Sequence, residues 1–242
     1  MDYAAYIEQI RVQCAALRSA VDRVGPDAPV PTCPGWTAQD LITHVAELQA
    51  WVELALPLPP EGPAPEPPKP PADWTELLAW WDERVAAMTA GFTATDPATR
   101  TWSFVPGFPG DAGWFARRQA NEAAIHRLDG EHTAHDTVPT LLFDPAFAAD
   151  GVDELFTLNP PQPSPVAGTV LLHAADAGRA WLVTLSTDAP PGIDTHPHEP
   201  TALDADAKVV GTADAVYRAV WGRPSHAVVS GDSELVSRLK AF

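Results

Sequence analysis

The segment of residues 30–48, VPTCPGWTAQDLITHVAEL, decides how the N-terminal half of the chain folds. Its prolines and glycine predict a turn, and Thr37 follows as a favourable N-cap with Asp40 at the N3 position, as in a capping box. Apolar residues then recur at helical spacing and form the predicted buried seam of this helix: Leu41, Val45, Leu48, Val52 and Ala55. His44 stands within that seam, so the helix is predicted to carry an imidazole toward the interior.

Composition limits what this histidine can do. The chain has 242 residues, of which 45% are hydrophobic, so neither a disulfide nor a metal is needed merely to form a core. A bound metal would therefore take part in a reaction and would not be needed to hold the fold together. Fifteen basic against 32 acidic residues give a net charge of −17, which repels nucleic acid and anionic lipid and excludes both as partners.

The cysteines and the apolar runs point to a cytoplasmic protein. Cys14 and Cys33 are the two cysteines, and their positions suit neither a disulfide framework nor a Cys-x-x-Cys site. No basic and then apolar leader is present, and no apolar run approaches the roughly 18 residues that span a bilayer. We therefore expect no membrane partner and a cytoplasmic location.

Helices flank the segment on both sides. An amphipathic helix is predicted over residues 2–24, ending at Gly25-Pro26. Nine prolines within residues 57–71 predict an extended, non-helical connection. Further helices are predicted over about Trp74 to Ala90 and about Ala112 to Asp129, the latter ended by Gly130 at the C′ position. Four helices with two long connections predict a four-helix bundle over residues 1–136.

The pattern changes in the remainder of the chain. Residues 169–186, TVLLHAADAGRAWLVTLS, predict two strands joined by a DAGR turn, and residues 207–223, AKVVGTADAVYRAVWGR, predict strand, turn and helix. HAVVSG then predicts a last strand, and DSELVSRLKAF a short terminal helix. The predicted fold is thus α plus α+β, a four-helix bundle followed by a small α+β domain over residues 137–242.

Candidate chemistry is concentrated in the fourth predicted helix, WFARRQANEAAIHRLDGE at residues 114–131. Glu122 and His126 are four residues apart, so their side chains share one face of a helix, about 5–6 Å apart at Cβ. That face borders the core, where an unpaired carboxylate or imidazole is costly. With His44 from the second helix they form a candidate metal triad that leaves positions open for water or substrate. Zinc suits these ligands best, and iron or nickel remains an alternative.

Simpler interpretations stay open on the residues alone. A Glu-x-x-x-His pair occurs by chance on many helices, and His44 would also suit a core histidine bonded to a backbone carbonyl. His132 and His135 follow the predicted helix end at Gly130, which places them in a solvated polar turn.

The other histidines lack acidic or cysteine neighbours at ligand spacing. His173 is predicted in a strand, His196 and His198 in a proline-rich loop, and His226 before a strand.

Two motifs, PTCPGWTAQDLITH and NEAAIHRLDGE, resemble the N-terminal domain of the mycothiol-dependent maleylpyruvate isomerase family, a branch of the DinB-like metal-binding bundles. The later segments LLHAADAGRAWLVTLS and VVGTADAVYRAVWGRP resemble that family's sterol-carrier-like second domain. This resemblance implies a divalent metal, zinc by preference, held by His44, Glu122 and His126. It also implies a functional arginine in the second domain, for which Arg223 is the natural match.

The resemblance further implies a reaction. A bound metal would hold the sulfur of a low-molecular-weight thiol, mycothiol, as the nucleophilic thiolate, which attacks a small electrophilic substrate. S-transfer is the favoured outcome, and a maleylpyruvate-type cis/trans isomerisation is the first alternative. A non-catalytic small-molecule-binding protein and a thiol-independent metal hydrolase are the others. The electrophile and the oligomeric state are not fixed by the sequence.

Three further interpretations concern residues around this site. Cys33 is not needed for the reaction, and Trp36 is expected to act as a hydrophobic staple at the helix entry. The loop TWSFVPGFPGDAG, with Trp102, Phe104 and Phe108, is expected to wall the substrate pocket.

Overall fold

The computed structural model describes residues 1–103, 110–158, 163–196 and 204–239. The chain divides into two compact units, Met1–Val138 and Pro139–Phe242. The first holds four long helices and the second a mixed sheet with helices, which confirms the predicted fold class. Among the described residues, no helix has the length and apolar character that crossing a membrane requires.

The first unit is built from helices that begin at side-chain caps. They are α1 (Tyr3–Asp22), α2 (Ala38–Ala55), α3 (Trp74–Ala94) and α4 (Ala112–Ala134). Their N-caps are Asp2, Thr37, Asp73 and Asp111. The predicted capping box is confirmed, since Thr37 and Asp40 bond each other's backbone N–H reciprocally. The core lies between the helices, where α1 packs mainly against α4 and α2 against α3.

The predicted end of the fourth helix at Gly130 is wrong, because α4 continues to Ala134. A Cβ placed on Gly130 would lie 2.5 Å from Cδ1 of Leu17, so this glycine lets α1 approach α4 closely. His132 consequently lies in the last helical turn rather than in a turn beyond it. His135 is the exposed C-cap, with Nε2 2.8 Å from Nη1 of Arg23.

Gly130→Ala should therefore destabilise the first unit, by about 1–3 kcal/mol, because overpacking moves a well-packed neighbour. Leu17 is fully buried, so its side chain would have to shift within the core to accept the added methyl group. Urea unfolding measures the change. In a Leu17→Ala background the same substitution should become neutral or stabilising, since alanine favours helix over glycine by about 1 kcal/mol. Equal effects in both backgrounds would contradict the contact.

The proline tract forms the predicted non-helical connection, with no helix or strand between Ala55 and Trp74. It is fixed to the bundle by two hydrogen bonds: Nε1 of Trp51 donates to the Pro65 carbonyl at 3.0 Å, and the Trp102 amide donates to the Leu58 carbonyl at 2.9 Å. The Trp51 and Trp102 rings meet edge to face, 5.0 Å apart. These contacts bring α2, the tract and the loop before α4 together.

The second unit is a five-stranded sheet with three helices in its described part. In chain order the elements are α5 (Pro145–Leu158), β1 (Gly168–Ala174), β2 (Arg179–Leu185), β3 (Gly192–His196), β4 (Ala207–Gly211), α6 (Ala213–Val220), β5 (Val228–Gly231) and α7 (Ser233–Ser237). The strand order is β3-β2-β1-β4-β5, with β1 and β4 parallel and the other pairs antiparallel.

Most of these elements match the prediction, and two were missed. The strands β1, β2, β4 and β5 and the helices α6 and α7 stand where the sequence placed them. The helix α5 and the short edge strand β3 were not predicted; β3 has one apolar side chain, Ile193, and so no alternating pattern. His196 therefore ends a strand, paired with Ala180, instead of lying in a loop. His198 lies outside the described residues.

A buried ion pair joins α6 to the segment that leads into the second unit. Oδ2 of Asp214 accepts hydrogen bonds from the backbone amides of Leu142 and Phe143, at 2.6 and 2.9 Å. Arg218 binds the same carboxylate and donates to the Pro139 carbonyl at 2.7 Å. Both charged side chains are almost fully buried, at 1% and 3% exposure. The pair therefore fixes residues 139–143 onto α6.

Candidate metal centre

Helices α2 and α4 bring His44, Glu122 and His126 together. Each offers one donor atom, and these three atoms lie within 4.8 Å of one another. Oε1 of Glu122 is 3.4 Å from Nε2 of His44 and 3.1 Å from Nε2 of His126. The two α4 residues are neighbours through their i, i+4 spacing, whereas His44 reaches them only because α2 packs beside α4.

The spacing of these atoms suits a small divalent cation. Nitrogen and oxygen ligands bind zinc at about 2.0–2.1 Å, which separates neighbouring ligands of a tetrahedral site by about 3.3 Å. The side chains of Glu122 and His126 are 13% and 9% exposed, whereas that of His44 is 43% exposed. The cluster is thus closed on the α4 side and open on the His44 side, where a further ligand has access.

Arg118 fixes the second oxygen of the carboxylate. Its Nη2 binds Oε2 of Glu122, while Oε1 faces the two histidines. Burial raises the pKa of Glu122, but the charges of Arg118 and His126 and the hydrogen bonds from His126 and His44 outweigh it and hold that pKa well below its usual range. Glu122 is therefore ionised at neutral pH, the form in which a carboxylate binds a metal.

Asp129 orients His126 through the ring nitrogen that faces away from Glu122. The sequence patterns did not identify this aspartate. Its fully buried carboxylate has Oδ2 2.9 Å from Nδ1 of His126, so the ring's Nε2 faces Glu122. Burial lowers the pKa of His126, but the charge of Glu122 and the hydrogen bond to Asp129 outweigh it and raise that pKa to about 9. The available signal was the His-x-x-Asp spacing, which places both residues on one helix face.

The turn before α2 is tied to the same aspartate. Oγ1 of Thr32 donates to Oδ1 of Asp129 at 2.6 Å, and Sγ of Cys33 lies 3.5 Å from Oδ2. Trp36 then places its ring 5.2 Å from the His44 ring and stacks near His126, with centroids 6.4 Å apart and planes at 20°. Trp36 therefore contacts both candidate imidazole ligands. This role goes beyond the hydrophobic staple that the sequence predicted for it.

Asp129→Asn should weaken metal binding 10- to 100-fold, the usual order of loss when a carboxylate partner of a ligand histidine is removed. The substitution keeps the side chain's shape but removes the charge that holds His126 in place. Competition with a chromophoric zinc chelator measures the affinity. Asp136→Asn, at an exposed position just beyond α4, is the control and should leave it unchanged. Equal affinities of both variants would contradict the role of Asp129.

The remaining predicted residues lie elsewhere or cannot be placed. Arg223 follows α6 in the second unit, where its Nη1 donates to the Trp221 carbonyl at 2.9 Å; its role stays a prediction. Cys14 is buried in α1, and burial is the main cause that raises the pKa of its thiol to about 12. Of the expected pocket wall, Trp102 is described, whereas Phe104 and Phe108 lie outside the described residues.

Comparisons with known proteins concern the sequence and the fold of this chain. The sequence model of the mycothiol maleylpyruvate isomerase N-terminal domain matches residues 7–130. Two crystal structures, of the mycothiol-dependent maleylpyruvate isomerase and of a histidine-to-alanine mutant of that enzyme, share the fold, with TM-scores of 0.59 and 0.63. Their sequences are 14% and 13% identical to this one, and each match covers 96% of this chain and 95% of the other. No curated protein sequence matches.

Proposed function

The chain belongs to the mycothiol maleylpyruvate isomerase N-terminal domain family, and on that basis we propose that it is a metal-dependent enzyme that joins mycothiol to a small electrophile. The observation that carries the proposal is the convergence of His44, Glu122 and His126 with one open side. Within this proposal S-transfer is the favoured reaction, and a maleylpyruvate-type isomerisation is its first alternative.

The three converging residues would hold the divalent metal, zinc by preference. When bound, such an ion supplies a Lewis acid that lowers the pKa of a thiol and so generates the nucleophile at neutral pH. Arg118 keeps Glu122 ionised and leaves Oε1 for the ion, and Asp129 keeps Nε2 of His126 turned toward the same place. The open side at His44 admits the thiol and the electrophile.

The fate of the thiol distinguishes the two reactions. The sulfur adds to an electrophilic carbon; if the thioether remains, the reaction is an S-transfer, and if the thiol leaves after bond rotation, it is a cis/trans isomerisation. Arg223 is proposed to act in substrate binding or catalysis, as the family resemblance implies. We also propose residues 1–136 as a DinB-like bundle and residues 137–242 as a sterol-carrier-like domain.

A combined metal and thiol assay tests the proposal. Protein purified without chelator should contain about one zinc per chain by mass spectrometry. It should also consume mycothiol with at least one member of a panel of epoxides, halides and unsaturated carbonyl compounds. Chelator should abolish consumption, and zinc should restore it.

Other outcomes favour the rival functions. Turnover in thiol-free buffer would show that the protein is a metal hydrolase and not a thiol-dependent enzyme. Ligand binding without thiol consumption by any electrophile would favour a binding protein. A wild-type protein that neither contains nor takes up a divalent metal would overturn the proposal.

A further inference from the structure

His44 lacks the polar support that the other two candidate ligands have. Arg118 binds Glu122, and the carboxylate of Asp129 lies 2.9 Å from Nδ1 of His126. Within the part of the chain that the structure describes, the one hydrogen bond of His44 joins its Nε2 to Oε1 of Glu122, at 3.4 Å. Metal-binding histidines usually donate their other ring N–H to an acceptor that fixes the ring. The half-exposed imidazole of His44 has no such acceptor among these residues, so its direction depends on packing.

The ring of Trp36 packs against this imidazole. Its centroid is 5.2 Å from that of His44, with the planes tilted by 56°, which is within the usual separation of about 4.5–7 Å for an aromatic pair. The His126 ring also contacts His44, edge to face at 5.1 Å, but it belongs to the ligand set itself. Among the described residues, Trp36 is thus the aromatic neighbour that supports His44 from outside the cluster.

His126 depends less on Trp36 than His44 does. The centroids of the Trp36 and His126 rings are 6.4 Å apart, a longer separation than the 5.2 Å to His44. His126 is also buried and bonded to Asp129. A buried ring with a hydrogen bond to a carboxylate is already restrained. The support that Trp36 gives therefore matters mainly for the exposed ligand.

The backbone of the turn fixes Trp36 independently of its side chain. The Trp36 amide donates to the Cys33 carbonyl at 3.0 Å, and the Trp36 carbonyl accepts from the Val30 amide at 2.9 Å. Gly35 has a φ of 87°, in the left-handed region that glycine adopts readily. Thr37 then caps α2. The indole is therefore held at the start of α2, and it can be substituted without removing the hydrogen bonds of the turn.

We propose that Trp36 is the positioning residue of His44, whose imidazole it restrains so that Nε2 stays directed toward Glu122 and the metal centre. This inference rests on the proposed function and deepens it, since it concerns the affinity of the same site. A side chain at the surface otherwise exchanges between rotamers, and fixing it when the ion binds costs conformational entropy. Packing on Trp36 fixes the rotamer during folding, so the ligand is preorganised without any contact between the indole and the ion.

The mobility of the His44 ring in the zinc-free protein tests this restraint without requiring metal binding or turnover. Carbon-13 relaxation of labelled histidine rings measures it. Trp36→Ala should lower the order parameter of the His44 ring from about 0.85 to below about 0.6, the difference between rigid and flexible groups. The His126 ring should keep its value, and Trp36→Phe, which retains a ring, should keep both imidazoles ordered. Trp36→Leu preserves an apolar side chain at the helix entry but no ring, and it should behave like Trp36→Ala.

Zinc affinity, measured by competition with a chromophoric chelator, provides the second test. Trp36→Ala should weaken zinc binding about 3- to 10-fold, the effect of one aromatic contact, and Trp36→Phe should restore most of it. In an Asp129→Asn background Trp36→Ala should cause the same fold loss, because the two substitutions act on different histidines. Trp80→Ala is the matched control: this indole of α3 is also half-buried, but its ring lies against Arg84. Its removal should change neither the zinc affinity nor the mobility of the His44 ring.

Three results would overturn the inference. One is a His44 ring that is as mobile in the wild-type protein as in Trp36→Ala. Another is a gain of mobility at His126 in place of His44. The third is a different fold loss of zinc affinity from Trp36→Ala in the wild-type and Asp129→Asn backgrounds, which would assign the contact to His126. Failure of the proposed function looks different: the wild-type protein would bind no zinc, while Trp36→Ala would still free the His44 ring.

Discussion

His126→Ala should reduce the metal content from about one ion per chain to none. Its Nε2 is one of three converging donor atoms, and the imidazole is the one that Asp129 holds in position. Two remaining ligands, one of them the half-exposed His44, do not enclose an ion. Elemental analysis and calorimetric titration with zinc measure the loss. His44→Ala, at a more exposed position, should lose the metal without creating a buried cavity.

A thermal-unfolding experiment checks the same result independently. A metal that binds only the folded state at 100 times its Kd adds about 2.7 kcal/mol to the free energy of unfolding. Chelator should therefore lower the Tm of the wild-type protein and leave that of His126→Ala unchanged. His135→Ala, at the exposed end of the same helix, is the control and should keep its metal. Stoichiometric zinc in purified His126→Ala would contradict the proposed ligand set.

Asp214→Ala is expected to destabilise the second unit by about 3–5 kcal/mol, the loss that follows when one partner of a buried ion pair is removed. The substitution leaves the Arg218 guanidinium buried without its carboxylate. It also removes the acceptor of the Leu142 and Phe143 amides. Urea unfolding, followed by a probe of the second unit, measures the change.

The chain supplies an exposed counterpart of this pair. Glu234 and Arg238 have the same i, i+4 spacing, but their side chains are 56% and 42% exposed. Glu234→Ala should cost less than about 1 kcal/mol, because solvent screens an exposed pair. A similar loss in both variants would show that burial of Asp214 does not determine its contribution.

Local rules predicted a large part of the fold and the candidate ligands. The capping box at Thr37 and the helical spacing around His44 depend on residues within a few turns of each other, as does the Glu122–His126 pair. Such patterns can be recognised without knowing which segments pack against each other. The same is true of β1 and β2, where the DAGR turn lies between two apolar runs.

Features that depend on contacts between distant segments could not be predicted from the sequence. Gly130 has the residue type of a helix end, but its role is to accept Leu17 from a helix more than a hundred residues earlier. The link between Thr32 and Asp129 likewise joins residues 97 positions apart.

The sequence by itself determined the helical bundle, the mixed second unit and which three side chains are candidate ligands, because periodicity and capping are properties of single segments. Only the tertiary structure decided that α2 brings His44 to Glu122, that Asp129 and Arg118 orient the α4 ligands, and that the cluster is open on one side. Packing between helices sets those distances and exposures, and it depends on the shapes of both partners at once.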